Sequence, residues 1–203
     1  MPETRIDLLR HGQCEGGEIF RGSTDVALTR EGWAAMRSSL AGLEPAPWQR
    51  IVSSPLQRCR RFAEALSDQW GLPLTLEPDL REIHFGDWEG REYADLWDND
   101  PQLRLWGEDP ERHTPPNGEP LADFAVRVQG TLERLVRTHS DEHLLLVTHG
   151  GVIRLLLTQA QGRPRSEVRQ MSVPYAHFAS LGWREGRLVL AEDNGGKEPR
   201  GEG

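Results

Sequence analysis

Lysine is almost absent: of 24 basic residues only Lys197 is a lysine, so arginine is the default cation and no single arginine signals anion binding. A GC-rich genome accounts for that bias. Cysteine is scarce too, and Cys14 and Cys59 are too few for a disulfide framework and lack zinc-ligand spacing to the histidines. The expectation is no metal and no cofactor. No apolar run is long enough to span a bilayer, and the short run after Arg5 is broken by Asp7 and Arg10, unlike a secretory leader. We therefore expect a cytoplasmic protein with no membrane partner. Positive charge is in deficit as well: a net charge of −8 argues against a general nucleic-acid binder, so any phosphate site must be local. What remains is a chain of 203 residues, 36% hydrophobic, able to bury the core of one ordinary domain.

Three apolar runs end abruptly in polar residues followed by helix starts. The first, Arg5 to Arg10, reads as a strand delivering Arg10 and His11 into a turn that glycine, Gly12, makes easily. A strand buried on both faces reads as continuous hydrophobics, and open α/β sheets bind ligands beyond the carboxyl ends of such strands. The second, Ile51 and Val52, leads into Ser53, Ser54 and Pro55, with serine as cap and proline at the first helical position. Its helix buries Leu56, Cys59, Phe62, Leu66 and Trp70, and Arg58 sits in the first turn, off that stripe, where free N–H groups also attract anions. The third, Leu144 to Val147, hands over to Thr148, His149, Gly150 and Gly151 and a helix from about Val152 to Gln161.

Between these lie a glycine-rich loop over 12–26 and a helix capped by Thr29, with Glu31 in its first turn and Trp33, Met36, Leu40 and Leu43 at helical spacing before Pro45 and Pro47. From Leu72 to Pro120 periodicity weakens, and Trp88, Trp97 and Trp106 are spread among acidic residues and prolines. That stretch reads as short helices covering the sheet edge, a pocket-capping insertion at about 84–119. A long helix with the stripe Leu121, Phe124, Val128, Leu132 and Leu135 follows, and a hairpin of 179–183 with 188–191 closes a single domain over 1–192. Residues 193–203 read as a disordered tail.

If the three strands are parallel neighbours, two histidines and two arginines converge. Guanidinium forks and helix N-termini hold a phosphoryl group, and an imidazole beside them is a nucleophile towards phosphorus, because the arginines offset the charge that repels attack. The segments Leu-Leu-Arg-His-Gly-Gln at 8–13, Arg-Gly-Ser-Thr-Asp-Val-Ala-Leu-Thr at 21–29, Ser-Ser-Pro-Leu-Gln-Arg-Cys at 53–59, Leu-Arg-Glu-Ile-His-Phe-Gly-Asp-Trp-Glu-Gly at 80–90 and Thr-His-Gly-Gly-Val at 148–152 stand in one order. In that set the chain resembles the histidine phosphatase superfamily, the phosphoglycerate-mutase-like proteins.

The resemblance implies a three-layer α/β/α sandwich with a mostly parallel central sheet. It makes His11 the nucleophile that becomes phosphohistidine, with Arg10, Arg58 and His149 around the phosphoryl group. Glu82 becomes the proton donor, ahead of Asp87 and Glu89, with a pKa expected to be held up by a partly apolar site. Gln13, Ser23 and Gly150 are implied as further substrate-binding residues. Many members carry an asparagine where this chain has Gly17, so Ser23, Thr24 or a backbone N–H is expected to replace that donor. Cys14 suggests a competing cysteine-dependent phosphatase, although Arg21 follows it at one residue more than that class spaces them, and an oxidation-sensitive thiol.

The short chain favours hydrolysis over mutase transfer. Phe85 to Gly90, Pro116 to Pro120 with Asp123, Phe124, Arg127 and Val128, and Gly32 to Arg37 resemble the α-ribazole 5'-phosphate phosphatases of cobalamin assembly. Chains with the same motifs act on sugar phosphates or on many small esters, and that alternative stays open. The implied partner is a small-molecule phosphomonoester. A catalytically silent phospho-binding module is disfavoured by the complete set Arg10, His11, Arg58, Glu82 and His149. The oligomeric state leaves no mark in the sequence.

Overall fold

Thr4–Arg10 forms β1, and its apolar residues Ile6, Leu8 and Leu9 are fully buried because helices cover both faces of the sheet. The structure, a computed structural model, describes residues 4–191; the tail expected at 193–203 lies outside the described residues. The strands are β1, β2 (Arg50–Ser53), β3 (Leu74–Leu76), β4 (His143–Thr148), β5 (Phe178–Arg184) and β6 (Arg187–Leu190), in the order β3-β2-β4-β1-β5-β6. The pairs β3-β2, β2-β4 and β4-β1 are parallel, whereas β5 runs antiparallel to β1 and β6 antiparallel to β5.

Alternation along each strand divides the core in two. Ile6, Leu8, Val52, Leu144 and Leu146 pack with helices α5 (Leu121–Thr138) and α6 (Gly150–Ala160). Leu9, Ile51, Leu145 and Val147 pack on the other face with α1 (Arg30–Ser39) and α2 (Gln57–Trp70). The result is the expected three-layer sandwich with a mixed, mostly parallel sheet. No helix among the described residues is long and apolar enough to cross a membrane.

Two helix boundaries differ from expectation. The hydroxyl of Thr29 caps α1 by accepting from the Gly32 N–H at 2.9 Å, but the helix ends at Ser39, and Gly42 at φ +85° redirects the chain before the prolines. Helix α2 starts at Gln57 rather than after Ser54, because the Asp25 carboxylate accepts from the Gln57 N–H at 2.7 Å while the Ser54 hydroxyl is drawn into the site described below.

The segment 72–120 begins with β3, which is itself the sheet edge, and only then leaves the sheet. Single helical turns at Pro78–Leu80 and Gly86–Trp88 and the helices α3 (Tyr93–Asn99) and α4 (Pro101–Glu108) build a cap with its own small core of Phe20, Trp88, Leu96, Leu103 and Trp106. Trp88 is fully buried and donates its indole N–H to Asp100 at 2.8 Å, whereas Trp97 is 43% exposed. At the start of β4, Asp7 accepts from the Trp48 indole and from His143 Nε2, both at 2.8 Å. His143 stands five strand residues before Thr148, about 16 Å away, and Asp7 three residues before Arg10.

Candidate active site

The register aligns Arg10 with Thr148 and Ser53 with Val147, so the three carboxyl ends meet at one edge of the sheet. His11 is fixed there by its N–H, which donates to the Thr148 carbonyl at 3.0 Å. Its Nδ1 lies 2.8 Å from the Gly12 carbonyl. A carbonyl only accepts, so Nδ1 carries the proton and Nε2 keeps its lone pair. Gly12 is needed for close approach rather than for a left-handed turn: a Cβ there would lie 2.1 Å from the Gly32 carbonyl oxygen, where the loop rests on the first turn of α1. His11 is 5% exposed, and burial, then Arg58 and Arg10, hold its proton affinity well below that of an ordinary histidine.

Arg58 is fully buried and anchored by carbonyls: Nη2 donates to Gly22 at 2.8 Å and to Arg21 at 3.2 Å, and Nη1 to Thr24 at 2.8 Å. Its Nε donates to His149 Nδ1 at 3.3 Å, so His149 donates from Nε2 to the Ser54 hydroxyl at 2.7 Å. The ring of His149 meets that of His11 edge-on at 5.3 Å. Burial, then Arg58, pushes its proton affinity well down too.

The loop over 22–24 that holds Arg58 is itself held by Glu89, whose carboxylate accepts from the N–H groups of Gly22, Ser23, Thr24 and Phe85 and from the Thr24 hydroxyl. Burial raises the Glu89 carboxyl, yet these donors win and keep it below the usual range. Glu89 is therefore an ionised clasp. The N–H groups of Ser23 and Thr24 and the Thr24 hydroxyl, among the donors expected to compensate for Gly17, are spent on it, and Ser23 does not line the pocket. Gln13 is exposed and outside the pocket as well; its carbonyl accepts from the Thr29 N–H at 2.9 Å. Asp87 faces Asn117 at 2.9 Å.

Glu82 does reach the pocket. Its Oε2 accepts from the Gly151 N–H at 2.9 Å and its Oε1 from the Ile83 N–H at 3.1 Å. Glycine at 151 is what permits this, because a Cβ would sit 2.2 Å from Glu82 Oε1. Gly150 is packed in the same way, with the place of its absent Cβ 3.1 Å from Arg10 Nε. Arg10 lies 4.3 Å over the Tyr175 ring and donates Nη1 to the Val173 carbonyl at 2.6 Å; its Nε is buried without a partner among the described residues.

Together His11, Arg10 and Glu82 line a cavity of about 330 Å³ closed by the cap residues Phe20, Phe85, Tyr93 and Trp106. Arg21, Arg154, Arg169 and Tyr175 also line it and were missed in the sequence. Arg154 stands four residues after Gly150, one helical turn along, which is a usable signal; Arg169 and Tyr175 lie in a stretch without periodicity. Cys14 Sγ is 3.5 Å from His11 Nδ1, but burial pushes its thiol up against the pull of three arginines. Burial and the raised thiol both count against the two ideas about Cys14, the thiolate nucleophile and the reactive thiol. Among the described residues no three His, Cys, Asp or Glu side chains cluster as a metal site needs.

Residues 6–194 match the histidine phosphatase superfamily (branch 1). The adenosylcobalamin/alpha-ribazole phosphatase of Salmonella typhimurium is 30% identical over 189 residues, 92% of this chain and 94% of that one. The glucosyl-3-phosphoglycerate phosphatase of Mycolicibacterium vanbaalenii is 36% identical over 172 residues, 79% of this chain and 75% of that one. The crystal structure of the alpha-ribazole phosphatase from Shigella flexneri superposes with a TM-score of 0.81 at 27% identity, covering 96% of this chain and all of that one.

Proposed function

The chain belongs to the histidine phosphatase superfamily, a phosphoric monoester hydrolase by family, and on that premise we propose that His11 is its nucleophile in a two-step hydrolysis of small phosphomonoesters. The observation that carries this is the neutral, cation-flanked His11 with Nε2 free for the pocket it lines. In the first step a P–N bond forms at Nε2 while the ester P–O bond breaks, and Glu82 gives its proton to the departing oxygen. In the second, Glu82 takes a proton from water, the oxygen attacks phosphorus, the P–N bond breaks and phosphate leaves. Arg10 faces the phosphoryl oxygens from the cavity wall, and Arg58, His149 and the first turn of α6 near Gly150, set behind that wall, help to offset the charge that develops. No residue in this scheme requires a metal ion.

The named relatives differ in the alcohol they release, so the contacts beyond the phosphoryl group set the substrate. We favour a small-molecule or sugar-type phosphatase over one dedicated to a single ester. The aromatic rim of Phe85, Tyr93 and Trp106 favours a second reading, an ester of a nucleoside-like alcohol such as α-ribazole 5'-phosphate. Steady-state phosphate release from an ester panel in EDTA tests the chemistry. His11→Ala should lose at least about 10⁴-fold, and Glu82→Gln about 10²–10⁴-fold on alkyl esters but far less on aryl esters with good leaving groups. Turnover by His11→Ala at the wild-type rate would refute the nucleophile.

A further inference from the structure

We propose that the pocket contains a second anion site, built by Arg154 and Arg169, and that the preferred substrates carry a carboxylate or a second phosphate on the leaving alcohol. The proposal rests on the phosphatase reading and names its substrate class.

The argument starts from pairing. Arg127, Arg134, Arg163 and Arg165 each hold a carboxylate at 3.0 Å or less. Arg10, Arg21, Arg154 and Arg169, which line the pocket, have none within 4.0 Å among the described residues. Glu82 is the one carboxylate on that wall. With Glu82 carrying the proton it donates, a bound phosphate dianion offsets two of the four guanidiniums, and Arg58 stands behind with a further positive charge. A surplus remains even when the ester is bound.

Position decides which arginines carry the surplus. Arg10 is beside His11, and Arg21 spends its Nη2 on the Glu15 carbonyl at 2.8 Å and on the Gly17 carbonyl. Arg154 is aimed by its Nε bond to the Met171 carbonyl at 3.1 Å, which brings Nη1 to 3.1 Å from the place of the absent Gly150 Cβ. Arg10 Nε approaches that same place, so Arg154 stands next in line to the phosphate site. Arg169 lies 4.3 Å over the Trp106 ring, and with Arg154 it also lines an adjoining apolar recess of about 70 Å³. Desolvation, with repulsion from Arg154, lowers the proton affinity of both Arg10 and Arg169. Like charges packed against apolar walls are unfavourable until an anion joins them. Two guanidiniums over a recess match a carboxylate or phosphate a few bonds from the reacting phosphorus.

Matched esters test this. 3-Phosphoglycerate and glycerol 3-phosphate differ only in a carboxylate against a hydroxymethyl group, and fructose 1,6-bisphosphate and fructose 1-phosphate only in a second phosphate. The wild type should favour the doubly anionic member of at least one pair by about tenfold or more in kcat/KM, and the pair that responds identifies the anion. In the Arg154→Gln/Arg169→Gln variant the ratio should fall to about one, and single variants should fall between. Equal rates within both pairs in the wild type, or a preference that survives in the double variant, would overturn the site. Wild type that hydrolyses none of the four yet releases phosphate from other esters of the wider panel would also overturn the site, whereas no release from any ester would refute the phosphatase reading instead, and calorimetric titration of the same four esters would then still read the preference.

Discussion

Lowering the pH from 7 to 5 should destabilise the protein by up to roughly 4 kcal/mol through His11 and His149 alone. Both are neutral in the folded state, because burial first and Arg58 next hold their proton affinity well below the 6.5 of an ordinary histidine. The unfolded chain takes up a proton at each as the pH falls through 6.5, and the folded chain does not. Their contribution is therefore intact above 6.5 and is lost between 6.5 and the folded-state values, at about 1.36 kcal/mol per pH unit for each group. His177, lowered less and for the same reason of burial, tilts the curve the same way. Asp7 and Glu89, whose carboxyls are held below 3.8 and 4.5, act only at lower pH and leave this window alone. Urea unfolding at pH 7, 6, 5.5 and 5 gives the slope directly, and His11→Asn or His149→Asn should each remove about half of it. A slope unchanged in His11→Asn would mean that His11 protonates inside the fold, and the neutral nucleophile would fall with it.

Gly151→Ala should lower kcat on alkyl phosphates by about 10²-fold, since the new Cβ, 2.2 Å from Glu82 Oε1, forces the carboxylate aside, while Tm holds because alanine suits a helix. Glu89→Gln should cost about 2–3 kcal/mol in urea unfolding and weaken competitive inhibition by inorganic phosphate, because the loop whose carbonyls fix Arg58 loses its anionic clasp. Asp7→Asn should cost about 1–3 kcal/mol by unsettling Trp48 and His143, with kcat and KM unchanged; a fall in kcat would tie that buried pair to the chemistry.

The sandwich was legible because its strands are short uninterrupted apolar runs and its long helices carry clean stripes, as in Leu144 to Val147 and Leu121 to Leu135. The placement of candidate residues was legible where it follows from a strand end, as for Arg10, His11 and His149. It was not legible where a role depends on a partner far along the chain. Ser23 read as a phosphate donor until Glu89, 66 residues on, was found to occupy its N–H. Ser54 read as a helix cap until His149 and Asp25 were seen to divide that work differently. β3 escaped because three residues at a sheet edge, two of them exposed, carry too little alternation to register.

Arginine poses the same problem in a sharper form. In a chain with a single lysine, the letters cannot separate an arginine that closes an ion pair from one that waits for a ligand. Arg163 and Arg169 lie six residues apart, yet one grips Glu167 at 2.7 Å and the other rests on Trp106 with no carboxylate at hand among the described residues. What distinguishes them is geometry. Arg163 has Glu167 one helical-type turn away, whereas Arg169 is an exposed residue at the rim of the pocket, its guanidinium over Trp106, where the ring offers a cation–π contact but no counter-charge is at hand among the described residues. Substrate choice in this fold then follows from which cations the structure leaves unpaired around a common phosphoryl site, and doubly anionic esters are the ligands that complete the pairing.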